Sequence, residues 1–399
     1  MLSEIYYPEL TSTGYFLTKI AESLAQKFSI CVITGPATIE LKSTTSPWTE
    51  TINGVKIYRS KSTTFDRNWL PGRLINMVIT TLSIFLKGLW YCKQQDTILV
   101  VTNPPLLPFV ALLLKWIKRC DFILLIHDVY PEVLIVTGFA SQKSPIVRIF
   151  SHLNRLLYQK AYKIITLGRD MSDLAQKKLP KNHHLKIKCI PNWADTEFAF
   201  PIPRTENSIL RELGLVNHFV ILYAGNIGRT HNIEIIAEAA KFFHLKEHKI
   251  HFLFIGSGGR KAWLEKFIHK ESLSNTTILP FRPNSEKAIS INACDVAIIS
   301  FNPGMLGVSV PSRMYNQMAV GKPIIAIAHN RSELAKVIHE ENIGWVVDPL
   351  DFTTLIDTIQ YAYHNSIICS QMGERASKVV NEKYSYQHAS TDYQNFLSE

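Results

Sequence analysis

The chain has 399 residues, of which 46% are hydrophobic, 19% charged and 11% aromatic. At roughly 150 residues per domain this is two to three domains, and the composition excludes a disordered chain, collagen and a coiled coil. Lys and Arg number 43 against 33 Asp and Glu, a formal net charge of +10, which favours anionic partners without choosing among phosphate, nucleic acid and an acidic membrane face.

The chain opens with Met1, Glu4 and a turn at Pro8, so no signal peptide is expected at its start. Tyr15 to Lys27 carries Phe16, Ile20 and Leu24 at helical spacing, with Ser12 and Thr13 as candidate caps. Near-continuous apolar runs follow at 29–34, 96–102, 122–128 and 163–168, with a further strand at 55–60 after Asn53-Gly54. Such uniform hydrophobicity fits parallel strands buried on both faces. Two other apolar stretches are Leu74–Leu86 and Pro105–Leu114. Both fall short of the ~18–20 residues of a membrane span, being bounded or interrupted by Asn76, Lys87 and Pro108. Core helix and interfacial segment stay open for both. The second flows into Lys115, Trp116, Lys118 and Arg119, a pattern suited to an anionic membrane surface.

Residues 189–206 hold three prolines with no periodicity and read as a linker. Beyond it strands are expected at 219–225, 248–256, 276–281, 294–300, 322–328 and 344–348, again separated by helices. The fold class is therefore α/β: two doubly wound, Rossmann-like domains facing each other across a cleft, residues 1–195 and 196–375. Cys31, Cys92, Cys120, Cys189, Cys294 and Cys369 form no CxxC pair and sit in or beside apolar stretches. Buried, reduced thiols of a cytosolic protein are expected.

Ligands of open parallel sheets bind beyond the carboxyl ends of strands. After 219–225 stand Gly225, Asn226, Gly228 and Arg229, a turn whose glycines admit an anion and whose guanidinium would neutralise it. After 248–256 comes GSGGR, with Gly256 and Gly258; structural turn and nucleotide contact fit it equally. Neither GxGxxG nor GxxxxGK[ST] occurs. His127 and Asp128, followed by Glu132, could serve as acid, base or hydroxyl acceptor, or as a helix cap beside a solvated His. The histidines are scattered, His183-His184 lack acidic or Cys neighbours, and no Asp-x-Asp is present. A metal-independent site with no cofactor is expected, and no nucleic-acid partner.

Taken together, YYPELTSTG (6–14), HDVYPEVLIVTG (127–138), IPNWAD (190–195), YAGNIGR (223–229), FIGSGG (254–259) and VPSRMYNQMAVGKPII (310–325) give the chain a resemblance over nearly its whole length. It resembles the retaining glycosyltransferases of family 4, with the GT-B fold, and within them fucosaminyltransferase-like and colanic-acid-type enzymes of bacterial cell-surface polysaccharide. The resemblance implies that Gly14 approaches the donor diphosphate, that Asp128 and His127 sit by the reacting sugar, and that Arg229, with Gly225 and Gly228, neutralises the leaving group. It places Asn226, Gly256 and Gly258 along the nucleotide and Phe281-Arg282 at the base. It also implies a final helix, 376–399, crossing back to the first domain.

Three departures from the family pattern are visible. Its two glutamates, eight apart, are Val308 and Asn316 here, and Asn offers one acceptor and one donor set where a carboxylate accepts twice. Its lysine just after the arginine is replaced by His231 and Asn232, a loss for which Arg313 could compensate. Its first strand begins a few residues earlier. The resemblance implies a hexosyl- or N-acetylhexosaminyl-transferase using a nucleotide-diphosphate sugar, UDP-linked, and a lipid-linked or polysaccharide acceptor. The expected location is cytoplasmic, peripheral on the inner face of the cell membrane. A sugar-nucleotide epimerase and a non-catalytic GT-B scaffold or binding subunit stand as the alternatives.

Overall fold

The structure is a computed structural model that describes residues 1–9, 11–37, 46–63, 65, 70–246 and 249–399. Leu10 of the 6–14 motif and His248 of the 248–256 run lie outside the described residues. Two compact units divide the chain: Met1–Pro191 with Gly307–Ser309 and Ala389–Glu399, and Asn192–Leu306 with Val310–His388. Asn192 to Asp195, counted above with the first domain, therefore go with the second.

The first unit runs β1 (Leu2–Ser3), α1 (Ser12–Leu24), β2 (Ile30–Thr34), β3 (Thr49–Ile52), β4 (Val55–Arg59), α2 (Leu70–Tyr91) and β5 (Thr97–Val101). It continues with α3 (Leu107–Lys118), β6 (Asp121–Leu125), α4 (Glu132–Val136), α5 (Pro145–Lys160), β7 (Lys163–Thr166), α6 (Arg169–Lys177) and β8 (Ile187–Cys189). Its sheet has the order β3-β4-β2-β1-β5-β6-β7-β8, parallel except for the β3–β4 pair. Every residue of β7, and four of five in β5 and β6, are buried. Helices on both faces of a parallel sheet require that pattern. The chain order reverses between β1 and β5, so the loops after these strands flank a crevice where such folds bind ligands.

The second unit runs α7 (Ser208–Glu212), β9 (Phe219–Ala224), α8 (Ile233–Leu245), β10 (Ile250–Ile255), α9 (Lys261–Lys270), β11 (Thr276–Leu279), α10 (Lys287–Ile291) and β12 (Val296–Ser300). It is completed by α11 (Arg313–Ala319), β13 (Ile324–Ile327), α12 (Glu333–Glu341), β14 (Gly344–Val347), α13 (Phe352–His364) and α14 (Ser366–Lys383). Its all-parallel sheet, β11-β10-β9-β12-β13-β14, reverses order between β9 and β12. Ile221, Tyr223, Phe252, Phe254 and Ile298 from its strands pack with Ile236, Ala240 and Phe243 of α8 in one core.

Four expectations need correction. The first helix is capped by Thr11, whose side chain accepts from the Gly14 N–H, and Ser12 already lies inside it. Helix α2 extends well past the 74–86 run, and Pro71–Tyr91 is long and apolar enough to cross a membrane by length and composition. Asn76 and Lys87 interrupt the apolar string in sequence but lie to one side on a helix. In place of one final helix from residue 376 there are two, α14 and α15 (Tyr386–Ser398), and the first unit includes α15 only from Ala389. All six cysteines are free, but only Cys120, Cys294 and Cys369 are fully buried.

Candidate functional site

The second unit gathers its chemistry at the carboxyl ends of β9, β10 and β12. Two turns there touch backbone to backbone. The Gly225 N–H donates to the Ile255 carbonyl (2.9 Å), the Ile227 N–H to Ser257 O (2.9 Å), and the Arg260 N–H to Ile227 O (2.9 Å). Glycine is required by this contact. A Cβ on Gly256 (φ +157°) would stand 1.9 Å from Gly225 O, and one on Gly258 (φ +154°) 2.4 Å from both Asn226 Oδ1 and Ile227 O. The structural reading of GSGGR is the one the geometry shows: the glycines let two loops approach, leaving a narrow, backbone-lined floor.

Two guanidiniums border that floor. Arg229 leads from the β9 turn towards α8; its carbonyl accepts from Asn302 Nδ2 (2.7 Å), and its Nε lies 4.0 Å from where a Gly259 Cβ would be. Arg313 arrives from the far side of the switch point, at the start of α11. Its Nη1 lies 2.9 Å from the Cβ position of Gly225, its guanidinium carbon 4.8 Å from the Tyr223 ring centroid. Its Nη2 is 2.9 and 3.0 Å from the two ring nitrogens of His231.

His231 is buried and its Nδ1 is 2.8 Å from Ser300 O. A carbonyl can only accept and a guanidinium can only donate, so the neutral tautomer with Nδ1–H towards Ser300 and an Nε2 lone pair towards Arg313 satisfies both. Burial, reinforced by the Arg313 charge, pushes the imidazole down to about 3. Phe301 stacks on it at 5.5 Å, and the Tyr223 hydroxyl donates to Asn226 O (2.7 Å). Among the described residues, the partners of Arg313 are thus a carbonyl, the ring and hydroxyl of Tyr223 and a neutral imidazole, not a carboxylate. The arrangement holds a fixed cation beside glycine backbone, ready for an anion.

The other expected donor residues are placed differently. Asn316, on α11, accepts the Asp195 N–H at its Oδ1 (3.0 Å), while the Asp195 carboxylate pairs with Lys287 (2.6 Å). The IPNWAD motif is therefore tied to α11. Phe281, after β11, is 58% exposed, which suits an aromatic that stacks on a planar ligand. Arg282 lies 3.4 Å from Glu286 and 3.9 Å from Glu212.

In the first unit, His127 and Asp128 follow β6. Their N–H groups both donate to Thr102 Oγ1 (3.0 and 3.2 Å), whose own hydroxyl donates to Asp128 O (2.9 Å). Segment 307–309 pairs with this corner: Val129 N–H donates to Val308 O (2.9 Å), and Asp128 forms a β-bridge with Ser309. Burial lowers the His127 imidazole to about 4 and raises the Asp128 carboxyl, a rise that a hydrogen bond from Ser309 opposes. His127 Nε2 is buried without a partner among the described residues. Gly14 is also buried; its N–H is taken by Thr11, and a Cβ would stand 2.7 Å from Glu9 O. Its observed role is close packing of the β1–α1 loop. Among the described residues, no three His, Cys, Asp or Glu gather as metal ligands.

Sequence reasoning missed Thr102, Ser309, Tyr223 and Phe301 as parts of these corners. Thr102 and Phe301 each directly follow a strand, a position that the carboxyl-end rule flags. Ser309 and the Arg313–His231 pair are tertiary and leave no local signal.

Residues 207–379 match the family model "Glycosyl transferases group 1". The probable glycosyltransferase WbjE of Pseudomonas aeruginosa is 29% identical over 96% of this chain and 94% of its own. WcaI of Escherichia coli K12, named as a colanic acid biosynthesis glycosyl transferase, is 23% identical over 91% of this chain and 92% of its own. Sucrose-phosphate synthase from Thermosynechococcus elongatus superposes with a TM-score of 0.78 at 15% identity, covering 100% of this chain and 97% of its own. Anabaena HepE in complex with UDP-glucose superposes with a TM-score of 0.74 at 14% identity, covering 100% and 98%. Residues 207–379 thus match the glycosyl transferases group 1 model, and the chain as a whole has the GT-B fold.

Proposed function

We propose that the protein is a retaining, family 4 type glycosyltransferase that moves a hexosyl or N-acetylhexosaminyl unit from a nucleotide-diphosphate sugar to a lipid-linked or polysaccharide acceptor. The observation that carries this reading is Arg313 beside Gly225, without a carboxylate partner among the described residues, with Arg229 on the same glycine floor. Leaving-group charge is the main demand of such a transfer, and fixed cations in a partly dry site meet it without a metal. Arg313 then supplies the cation that the His231 position lacks. A UDP donor is favoured by the UDP-glucose complex of HepE, and a surface-polysaccharide acceptor by the name of WcaI.

In the reaction, the bond from the anomeric carbon to phosphate oxygen breaks, and the acceptor oxygen bonds to that carbon from the same face. The acceptor proton passes to the departing phosphate, and the nucleoside diphosphate leaves. Arg229 and Arg313 take up the developing charge. His127 and Asp128 are assigned to the sugar: His127 as a neutral imidazole whose Nε2, unpartnered among the described residues, can pair with a hydroxyl, Asp128 as an acceptor.

Thermal melting of the full chain with UDP, GDP, ADP and NAD in turn tests the reading. Ligand at ~100 times its dissociation constant adds about 2.7 kcal/mol to the folded state. A shift with UDP that Arg313→Ala cuts by about half or more is expected. A shift with NAD alone would favour an epimerase, and no shift with any diphosphate would leave a scaffold.

A further inference from the structure

Helix α2 is built inside out. The side facing the protein carries Gly72, Thr80, Ile84 and Gly88, all buried. Thr80 Oγ1 shares a hydrogen bond with Ser62 (2.5 Å), Asn76 Nδ2 donates to Phe65 O (2.8 Å), and a Cβ on Gly88 would stand 2.7 Å from Leu114 of α3. The opposite side carries Leu74, Val78, Leu82, Leu86 and Trp90, all at least half exposed, with Trp90 at 87%. A surface helix of a water-soluble protein normally shows the reverse.

The apolar surface continues across neighbouring helices. Helix α3 packs against α2 at Gly88–Leu114 and against α5 through Phe109–Phe150, an edge-to-face pair at 5.9 Å. It exposes Trp116 and Ile117, and α5 exposes Ile146 and Ile149. So wide an apolar patch marks an interaction surface. Its charge identifies the partner. Across the 22, 12 and 16 residues of α2, α3 and α5 there are seven Lys and Arg and no Asp or Glu, from a chain whose whole surplus is +10.

We infer that α2, α3 and α5 of the first unit form one face that lies on an anionic lipid bilayer, with the apolar side chains in the interface and Lys118 and Arg148 against the headgroups. Trp90 and Trp116 are amphipathic rings suited to that depth. A second copy is disfavoured as occupant, because two such faces would oppose like charge. Spanning is disfavoured because α2 would have to leave the hydrogen bonds of Asn76 and Thr80 behind.

The test is sedimentation of the full chain with vesicles of phosphatidylglycerol and phosphatidylcholine, or phosphatidylcholine alone, with no nucleotide or acceptor present. It therefore succeeds or fails independently of the transferase reading. Binding to the anionic vesicles is expected. The pair Leu82→Glu and Leu86→Glu should reduce it tenfold or more. The pair Lys118→Gln and Arg148→Gln should reduce it about thirtyfold, at ~1 kcal/mol per basic residue. Circular dichroism and melting should leave both variants folded; if one set unfolds, the other decides. Equal binding to neutral vesicles, binding unchanged by the folded variants, retention in membranes after alkaline extraction, or a dimer in light scattering that Leu82→Glu dissociates would each overturn the inference.

Discussion

The two units use one architecture to present opposite chemistries. At the carboxyl end of β6 the first offers a neutral imidazole and a half-buried carboxyl, both backbones pinned by the single hydroxyl of Thr102. At the carboxyl ends of β9 and β12 the second offers two guanidiniums over a floor with no side chains at Gly225 and Gly256. A parallel sheet sets where a ligand can bind; the few residues just past the strands set which charge it must carry. One corner suits hydroxyls, the other a polyanion.

That contrast can be broken from either side. Asp128→Asn should lower transfer by about a hundredfold or more, the scale of a lost transition-state contact, while the melting shift with nucleoside diphosphate stays intact. Arg313→Ala should do the reverse, weakening nucleotide binding by roughly ten- to a hundredfold, as for a charged hydrogen bond of ~1.5–3 kcal/mol. Isothermal titration with the nucleotide, beside initial-rate assays, separates the two. If both variants lose binding alike, the division of labour is wrong.

Gly256→Ala probes the floor itself. Its Cβ would collide with Gly225 O, so a cost of ~3 kcal/mol is expected. For a unit of this size that lowers melting by roughly 6–12 °C. The equivalent change at exposed Gly138, where nothing lies within 4 Å but φ is +74°, should cost only ~1 kcal/mol.

A separate effect is on acid stability. His127 is held near 4, His231 near 3 and His251 near 4, all lowered chiefly by burial. The unfolded chain binds these protons near 6.5, so stability is full above that pH and declines as pH falls towards 4. Urea midpoints between pH 7.5 and 4.5 should show the decline, and His251→Gln should flatten it.

Much of this was legible in the sequence because burial on both faces writes parallel strands as plain apolar runs; those ending at Gly225 and Gly256 pointed directly at the second corner. The extent of α2 was not legible, since Asn76 and Lys87 break a string yet occupy the flank of a helix. Nor was the Arg313–His231 pair, whose members are separated by 82 positions. The substitution of His for lysine was visible in sequence; the geometry that brings Arg313 beside it was not.

The end of α15 has a consequence for how the chain is made. Lys163, buried on β7, donates to Phe396 O (2.6 Å), and Gln394 donates to Ser23 O (2.9 Å) on α1. These partners leave the ribosome roughly 200 residues after Pro191, a delay of about 10–40 s at ordinary elongation rates. The second unit is then nearly complete while the first still waits for its closing piece. During synthesis the order of folding need not follow the order of the genetic message, and the amino-terminal half, with its apolar helices α2 and α3, is the half a chaperone would have to shelter.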